Sequence, residues 1–330
     1  MRKYRVAVTR AKDAKTDATE LFGDLGLQRL IDAGFEWNYV DVDPTIAADD
    51  LAGYDAVLLM GGQAVTRATL AGQTHLRHIA RFGAGYDSVD VEACTDSGVV
   101  VTNTPEAVRR PMAHAALTLV LALAHNLVVK DTLVRTGRWD ERGHWQGRGI
   151  EHALVGIVGL GNIGAEVARQ FRALGMSVQA YNRSDKGDVA RELGVSMVDL
   201  DTVMQTSDFI VILIAASAQT VNLVDRRRIG LMKPDAYLVN LSRGSIIDES
   251  ALVEALQKSA IAGAGLDVFA NEPLQPGSPL VGMDNVVLAP HSLCWTDEFA
   301  RAVSESAITS LIDVGSGRPP RFPVHAGGLA

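Results

Sequence analysis

Cysteine is scarce: Cys94 and Cys294 are the only two among 330 residues. Two thiols so far apart make neither a disulfide framework nor a metal-ligand spacing, so no metal and a reducing, cytoplasmic compartment are expected. Cys294 reads as a buried thiol, because nothing in the sequence provides it with a base partner. Long apolar runs are also missing. The longest, residues 115–124, closes at His125, about half of the ~20 residues a spanning helix takes, so no membrane partner is expected. The first thirteen residues carry basic side chains without an apolar core, which argues against a secretory leader there. Positive charge is in deficit: 31 Lys and Arg face 39 Asp and Glu, a net charge of −8. Such a field repels polyanions and disfavours nucleic acid as a partner. No internal repeat or low-complexity tract occurs, and the 31 glycines follow no collagen period.

What is present has the balance of a globular chain, 47% hydrophobic and 21% charged, with length for roughly two domains. Short β-type runs at 5–9, 36–40, 56–60, 76–82 and 99–102 alternate with helix-type stretches such as 18–33 and 89–97. That alternation implies βαβ crossovers and a parallel sheet. Asn103-Thr104-Pro105 interrupts it. A long Ala/Leu-rich helix is then expected over 111–129, with Pro111 in its first turn, where a missing N–H costs nothing. Residues 136–149, with Trp139 and Trp145, read as a connecting loop. A second series follows, with strands at 154–158, 177–181, 208–214, 236–241, 261–267 and 285–288. Helices are expected at 162–174 and 296–314, the latter before a Pro/Gly-rich tail.

The strongest local signal opens that second series. Gly159-Leu160-Gly161-Asn162-Ile163-Gly164 follows an apolar strand and precedes a helix. In that setting Gly159 permits the turn and Gly161 lets the backbone approach a pyrophosphate. Gly164 lets the helix, with its N-terminal N–H groups facing the anion, pack on the strand. The next strand ends in Tyr181-Asn182-Arg183-Ser184-Asp185-Lys186, where an NAD enzyme usually presents an acid to the ribose 2′-OH. Asn182 would not repel a 2′-phosphate, Arg183 offers it a planar fork, and Ser184 a hydroxyl. The pattern favours NADP (NADPH) over NAD. The plainer alternative is a solvated turn whose arginine covers adenine.

Three later loops carry one cation, one carboxylate and one imidazole, each directly after an expected strand: Arg243, Glu272 and His291. Ligands gather at the carboxyl ends of strands in open α/β sheets, so the three could converge and serve hydride transfer to a carbonyl. Singly, each has a dull alternative: a pairing arginine, a turn acid, a packed histidine.

Their order, behind the glycine fingerprint, resembles the D-isomer-specific 2-hydroxyacid dehydrogenases. So do Gly83-Ala84-Gly85-Tyr86-Asp87-Ser88-Val89-Asp90, Val101-Thr102-Asn103-Thr104-Pro105 and Leu241-Ser242-Arg243-Gly244. The resemblance implies two doubly wound parallel-sheet α/β domains. A Rossmann cofactor domain (105–290) would be inserted in a discontinuous flavodoxin-like catalytic domain (1–104 and 291–330), and the protein would be a homodimer. It also implies that Arg243 grips the substrate carboxylate and polarises the 2-oxo group, that His291 is the general acid and that Glu272 pairs with it. The Ala84 and Gly85 backbone would hold the carboxylate, Asp267 would orient the nicotinamide carboxamide, and Thr220 would lie in a loop over the cofactor.

This chain departs from the family at three places. Pro111-Met112-Ala113-His114 replaces an Ala-Glu neighbourhood, Ala215-Ala216-Ser217-Ala218-Gln219-Thr220 replaces a Pro-Leu-Thr type loop, and Ser292-Leu293-Cys294-Trp295 follows His291. Trp295 could wall the substrate pocket or pack at a domain interface. The expectation is an NADP-preferring reductase of a small 2-oxo acid such as glyoxylate or hydroxypyruvate. The alternatives are an NAD-linked dehydrogenase of phosphoglycerate type and, from another class, a nicotinamide-sensing corepressor-like binding protein.

Overall fold

The structure, a computed structural model, describes residues 2–12 and 18–324. Met1 and Asp13, the ends of the stretch read above as lacking a secretory leader, and the tail beyond Val324 lie outside those residues. The chain divides into two compact units, Met1–Val108 with Trp295–Ala330, and Arg109–Cys294. The dividing points stand four residues after those expected from the sequence.

In the first unit β1 (Arg5–Ala11), β2 (Glu36–Val42), β3 (Ala56–Leu59), β4 (His78–Arg81) and β5 (Val100–Thr102) lie in the order 2-1-3-4-5. That is the flavodoxin-like order, reached because each crossover packs back on the sheet with one hand. A short strand, Pro323–Val324, adds to β5 antiparallel, an edge the sequence did not reveal and a departure from the purely parallel sheet expected. β3 is buried along its whole length, as a strand covered on both faces must be. The stretch expected as one helix over 18–33 is two short helices, Ala18–Phe22 and Gln28–Asp32. Between them Gly23 and Gly26 sit at φ +72° and +70°, left-handed conformations that end a helix.

The helix Asp297–Gly315 is capped by the Thr296 hydroxyl, which accepts from the Phe299 N–H at 3.1 Å. From it Ser310 Oγ donates to Thr102 Oγ1 at 3.1 Å, and Thr102 Oγ1 lies 2.8 Å from His78 Nε2. His78 is fully buried, and burial pushes its pKa down to about 3. The ring therefore stays neutral when folded but takes a proton below about 6.5 when unfolded. The folded state accordingly loses stability as pH falls between those two values, by about 1.4 kcal/mol per unit. Acid denaturation followed by circular dichroism should show His78→Gln losing less stability than the parent between pH 6.5 and 5. Parallel losses would refute this account.

The second unit holds seven parallel strands: β6 (Leu154–Val158), β7 (Ser177–Tyr181), β8 (Ser196–Met197), β9 (Phe209–Ile212), β10 (Tyr237–Asn240), β11 (Gly263–Leu266) and β12 (Val286–Leu288). Their order, 8-7-6-9-10-11-12, is the doubly wound Rossmann order with one added strand. The strand order reverses between β6 and β9, which opens a crevice at their carboxyl ends. The core beneath it is built from Val158, Ile210, Ile212, Leu238 and Leu266.

The long helix begins at Pro105, not Pro111, and ends at Ala124; a second, Leu127–Arg135, follows Asn126 at φ +51°. Pro105 takes the first-turn place expected of Pro111. Pro111 lies inside the helix and is buried, so packing outweighs one missing N–H. Pro105–Ala124 has the length and composition to cross a membrane, which the ten-residue run alone did not suggest. However, 56% of its apolar stretch is buried in the fold, and a Cβ on Gly265 of β11 would stand 3.2 Å from Leu119 and Leu123. Both features are those of a core helix. The 136–149 loop contains one short helical turn, Trp139–His144.

Candidate active site

The glycine loop leaves β6 at the point of strand reversal. Gly159 has φ +112°, and a Cβ on Gly164 would stand 2.0 Å from the Gly159 carbonyl oxygen. No larger residue could let the helix Asn162–Ala173 start so close to its strand. Gly161 is the residue before that helix and supplies no capping side chain. Space is open where its Cβ would be. The first helical amides, beginning with Asn162 and Ile163, thus stand behind an open cradle at a positive helix end, which fits a pyrophosphate.

β7 delivers the residues expected to choose the cofactor. Asn182 Oδ1 accepts from the Leu160 N–H of the glycine loop at 3.0 Å, which orients the amide. Its Nδ2 then donates to the carbonyl and the hydroxyl of Ser184, both at 3.0 Å. The position that would carry an acid in an NAD enzyme therefore holds a neutral amide, its acceptor turned to the glycine loop and its donors to Ser184. An open cavity of about 420 Å³ is lined here by Asn182, Arg183, Ser184, Lys186 and two acids. The acids are engaged elsewhere: Asp185 accepts from the Gly187 N–H, and Asp199 from the Thr202 N–H and hydroxyl. Arg183 Nη1 donates to Gln219 Oε1 at 2.7 Å.

The strand ends β10, β11 and β12 bring the three chemical groups into one neighbourhood. His291 Nδ1 lies 2.7 Å from Glu272 Oε2, and Glu272 Oε1 accepts from the Phe269 N–H at 3.0 Å. Burial alone would raise the Glu272 pKa. The bonds from His291 and Phe269, with the charges of His291 and Arg243, outweigh burial and hold the carboxyl below its usual range. Arg243 follows β10, where Asn240 Nδ2 donates to its carbonyl at 2.9 Å and its own Nη1 donates to the Ser242 carbonyl at 2.7 Å. A Cβ on the next residue, Gly244, would overlap the Phe269 carbonyl carbon at 1.9 Å. Only glycine lets the Arg243 loop lie against the loop that leads to Glu272.

His291 is held at φ +53°, a left-handed conformation that costs a non-glycine residue about 1–2 kcal/mol. Asp267, buried at the end of β11, stabilises it. Its carboxylate accepts from the Ser292 N–H at 3.0 Å and the Leu293 N–H at 3.2 Å. Desolvation raises the Asp267 pKa against those two bonds. The carboxylate expected at the nicotinamide thus anchors the loop that carries the imidazole.

Ala84, Gly85 and Trp295 belong to the other unit. The Ala84 carbonyl accepts from Asn103 Nδ2 at 2.8 Å, fixing the loop. Trp295 is 45% exposed and meets Phe22 edge-on at 4.9 Å, next to Phe82 and Phe299. Cys294 is buried, and burial pushes its thiol up to about 12, which makes it inert. Thr220 locks its own loop: its hydroxyl accepts from the Ser217 N–H at 2.7 Å and donates to the Ala215 carbonyl at 3.0 Å. Sequence reasoning did not single out Gln219, Asn240 or Ser242. Only the departure at 215–220 gave a signal, for Gln219. Among the described residues no cluster of His, Cys, Asp or Glu could hold a metal.

A glycine cradle at a strand reversal and an imidazole–carboxylate pair on the same sheet edge define a class, the NAD(P)-dependent oxidoreductases. Comparison narrows it: residues 117–292 match the D-isomer specific 2-hydroxyacid dehydrogenase NAD binding domain, and the chain belongs to that family. It is 35% identical to a glyoxylate reductase from Thermococcus onnurineus, over 85% of each chain. It is 38% identical to a D-3-phosphoglycerate dehydrogenase from Synechocystis, over 85% of this chain and 50% of that one. Among solved structures it is similar to the NADPH-dependent glyoxylate/hydroxypyruvate reductase of Sinorhizobium meliloti in complex with NADP and malonate. There the TM-score is 0.84 at 29% identity, covering 98% of this chain and 97% of the other.

Proposed function

We propose that this chain is an NADP-preferring reductase of small 2-oxo acids of the glyoxylate or hydroxypyruvate type. The observation that carries the reading is the 2.7 Å pair of His291 and Glu272 on the sheet edge that also presents Arg243. With Nδ1 committed to Glu272, the other ring nitrogen, Nε2, is the one that gives a proton to the substrate carbonyl oxygen. Glu272 fixes the ring through that bond and faces it with a negative charge. Arg243 binds the substrate carboxylate with its fork and polarises the neighbouring 2-oxo group. When bound, a reduced nicotinamide dinucleotide would supply hydride to C2, which with the proton from Nε2 turns the carbonyl into CH–OH. Gly159, Gly161, Asn162, Ile163 and Gly164 cradle its pyrophosphate, and Thr220 shapes the loop beside it. Asp267 keeps lone pairs for the nicotinamide carboxamide. The same reading takes the protein as a cytoplasmic homodimer without nucleic-acid or membrane partners.

NADP is favoured because the place after β7 holds a neutral Asn182, its amide tied to Leu160 and Ser184, beside the cation of Arg183 at an open cavity. That arrangement speaks against the phosphoglycerate alternative insofar as it is NAD-linked. Steady-state rates with NADPH and NADH across a 2-oxo acid panel test the proposal. Arg183→Ala should lose a charge-assisted contact of roughly 1.5–3 kcal/mol with NADPH, about 10–100-fold in kcat/KM, and little with NADH. Asn182→Asp should shift preference toward NADH. A parent enzyme with the higher kcat/KM for NADH would overturn the cofactor assignment, and absence of turnover with every 2-oxo acid would overturn the reaction.

A further inference from the structure

We infer that Gln219, in the loop after β9, is a positioning residue that sets cofactor selectivity by holding Arg183 without neutralising it; this rests on the NADP reading above. The loop after β7 is tied on one side to the glycine loop, through the Leu160 N–H and Asn182 Oδ1. On its other side the Arg183 guanidinium donates from Nη1 to Gln219 Oε1 at 2.7 Å. Gln219 is itself presented from a fixed turn. Thr220 Oγ1 bonds both the Ser217 N–H and the Ala215 carbonyl, and the Thr220 N–H donates to the Ser217 carbonyl at 2.9 Å.

The chemistry of that partner decides what the tether does. A guanidinium on an exposed turn ordinarily samples many rotamers, and ordering it on binding costs affinity. An amide oxygen takes one of its five donors and leaves the full positive charge and the remaining donors for an anion. A carboxylate at the same place would form an ion pair and compete with a phosphate for the fork. Gln219 thus restrains the cation at the rim of the 420 Å³ cavity that Asn182 and Ser184 also line. The ligand chemistry that gains from this is a ribose 2′-phosphate; a free 2′-OH gains little.

The test uses equilibrium binding to the full-length protein, read by quenching of tryptophan fluorescence, with NADPH, NADH and 2′,5′-ADP as probes. For Gln219→Ala the Kd for NADPH and 2′,5′-ADP should rise about 3–10-fold, the worth of one ordering hydrogen bond. For Gln219→Glu it should rise about tenfold or more, while the Kd for NADH moves less than about twofold in either variant. In an Arg183→Ala background the Gln219→Ala change should have no further effect on NADPH, since its action runs through the arginine. Equal weakening of NADPH and NADH would show a general loop effect and overturn the inference. So would unchanged NADPH binding in both Gln219 variants while Arg183→Ala still weakens it, and in that case the NADP reading stands. If Arg183→Ala leaves NADPH binding unchanged, both fail together.

Discussion

His291→Asn lowers kcat for 2-oxo acid reduction by about 10²–10⁴-fold, the span that a positioned proton donor contributes. Asparagine keeps a polar group of similar size but has no proton to give at the carbonyl oxygen. The Kd for NADPH should change little, because the cradle and the Asn182–Arg183 turn lie at other strand ends. Glu272→Gln separates the two halves of the pair. Its carboxylate is held below the usual carboxylate range and lies 2.7 Å from Nδ1, so it both fixes the ring and faces it with a negative charge. Glutamine keeps an oxygen that can accept from Nδ1 but carries no charge, so Glu272→Gln should lower kcat by less than His291→Asn and leave the Kd for NADPH unchanged. A kcat equal to the parent's would refute the pairing.

Arg243→Lys should fail as a substitute even though the charge is kept. A lysine offers no planar pair of donors to a carboxylate, and Gly244 fixes the backbone too closely against Phe269 for the loop to adjust. If orientation is the arginine's task, KM for the 2-oxo acid rises and kcat falls together, by about 10²-fold or more in kcat/KM. The Kd of NADPH should barely move. A simple ketone or aldehyde, which lacks the carboxylate, should be a poor substrate of the parent and should suffer less from the change. A parent enzyme that reduced simple ketones as well as 2-oxo acids would remove the substrate-class assignment and leave a general NADP-linked reductase.

The two α/β units are legible in the order of the amino acids, because alternating apolar runs and glycine turns are local signals. Each expected strand core stands within a residue or two of its place in the fold. The glycine fingerprint is legible for the same reason, as strand, turn and helix are contiguous. Elements that depend on distant partners are not. Pro323–Val324 is a strand only because β5 leaves an edge for it. Pro111 stays helical only because its face is buried.

At the site, the residue types at 182, 183, 243, 272 and 291 can be read from the sequence as candidates. Their partners cannot. That Asn182 turns its acceptor to Leu160, that Arg183 is held by Gln219, and that Asp267 grips the amides after His291 are contacts between residues 22, 36 and 25–26 positions apart. By itself the sequence determined which groups the strand ends carry, because hydrophobic period and turn chemistry act over a few residues. The tertiary structure alone decided how those groups are oriented and what charge each faces, because hydrogen bonds and burial depend on which loops the sheet order places side by side.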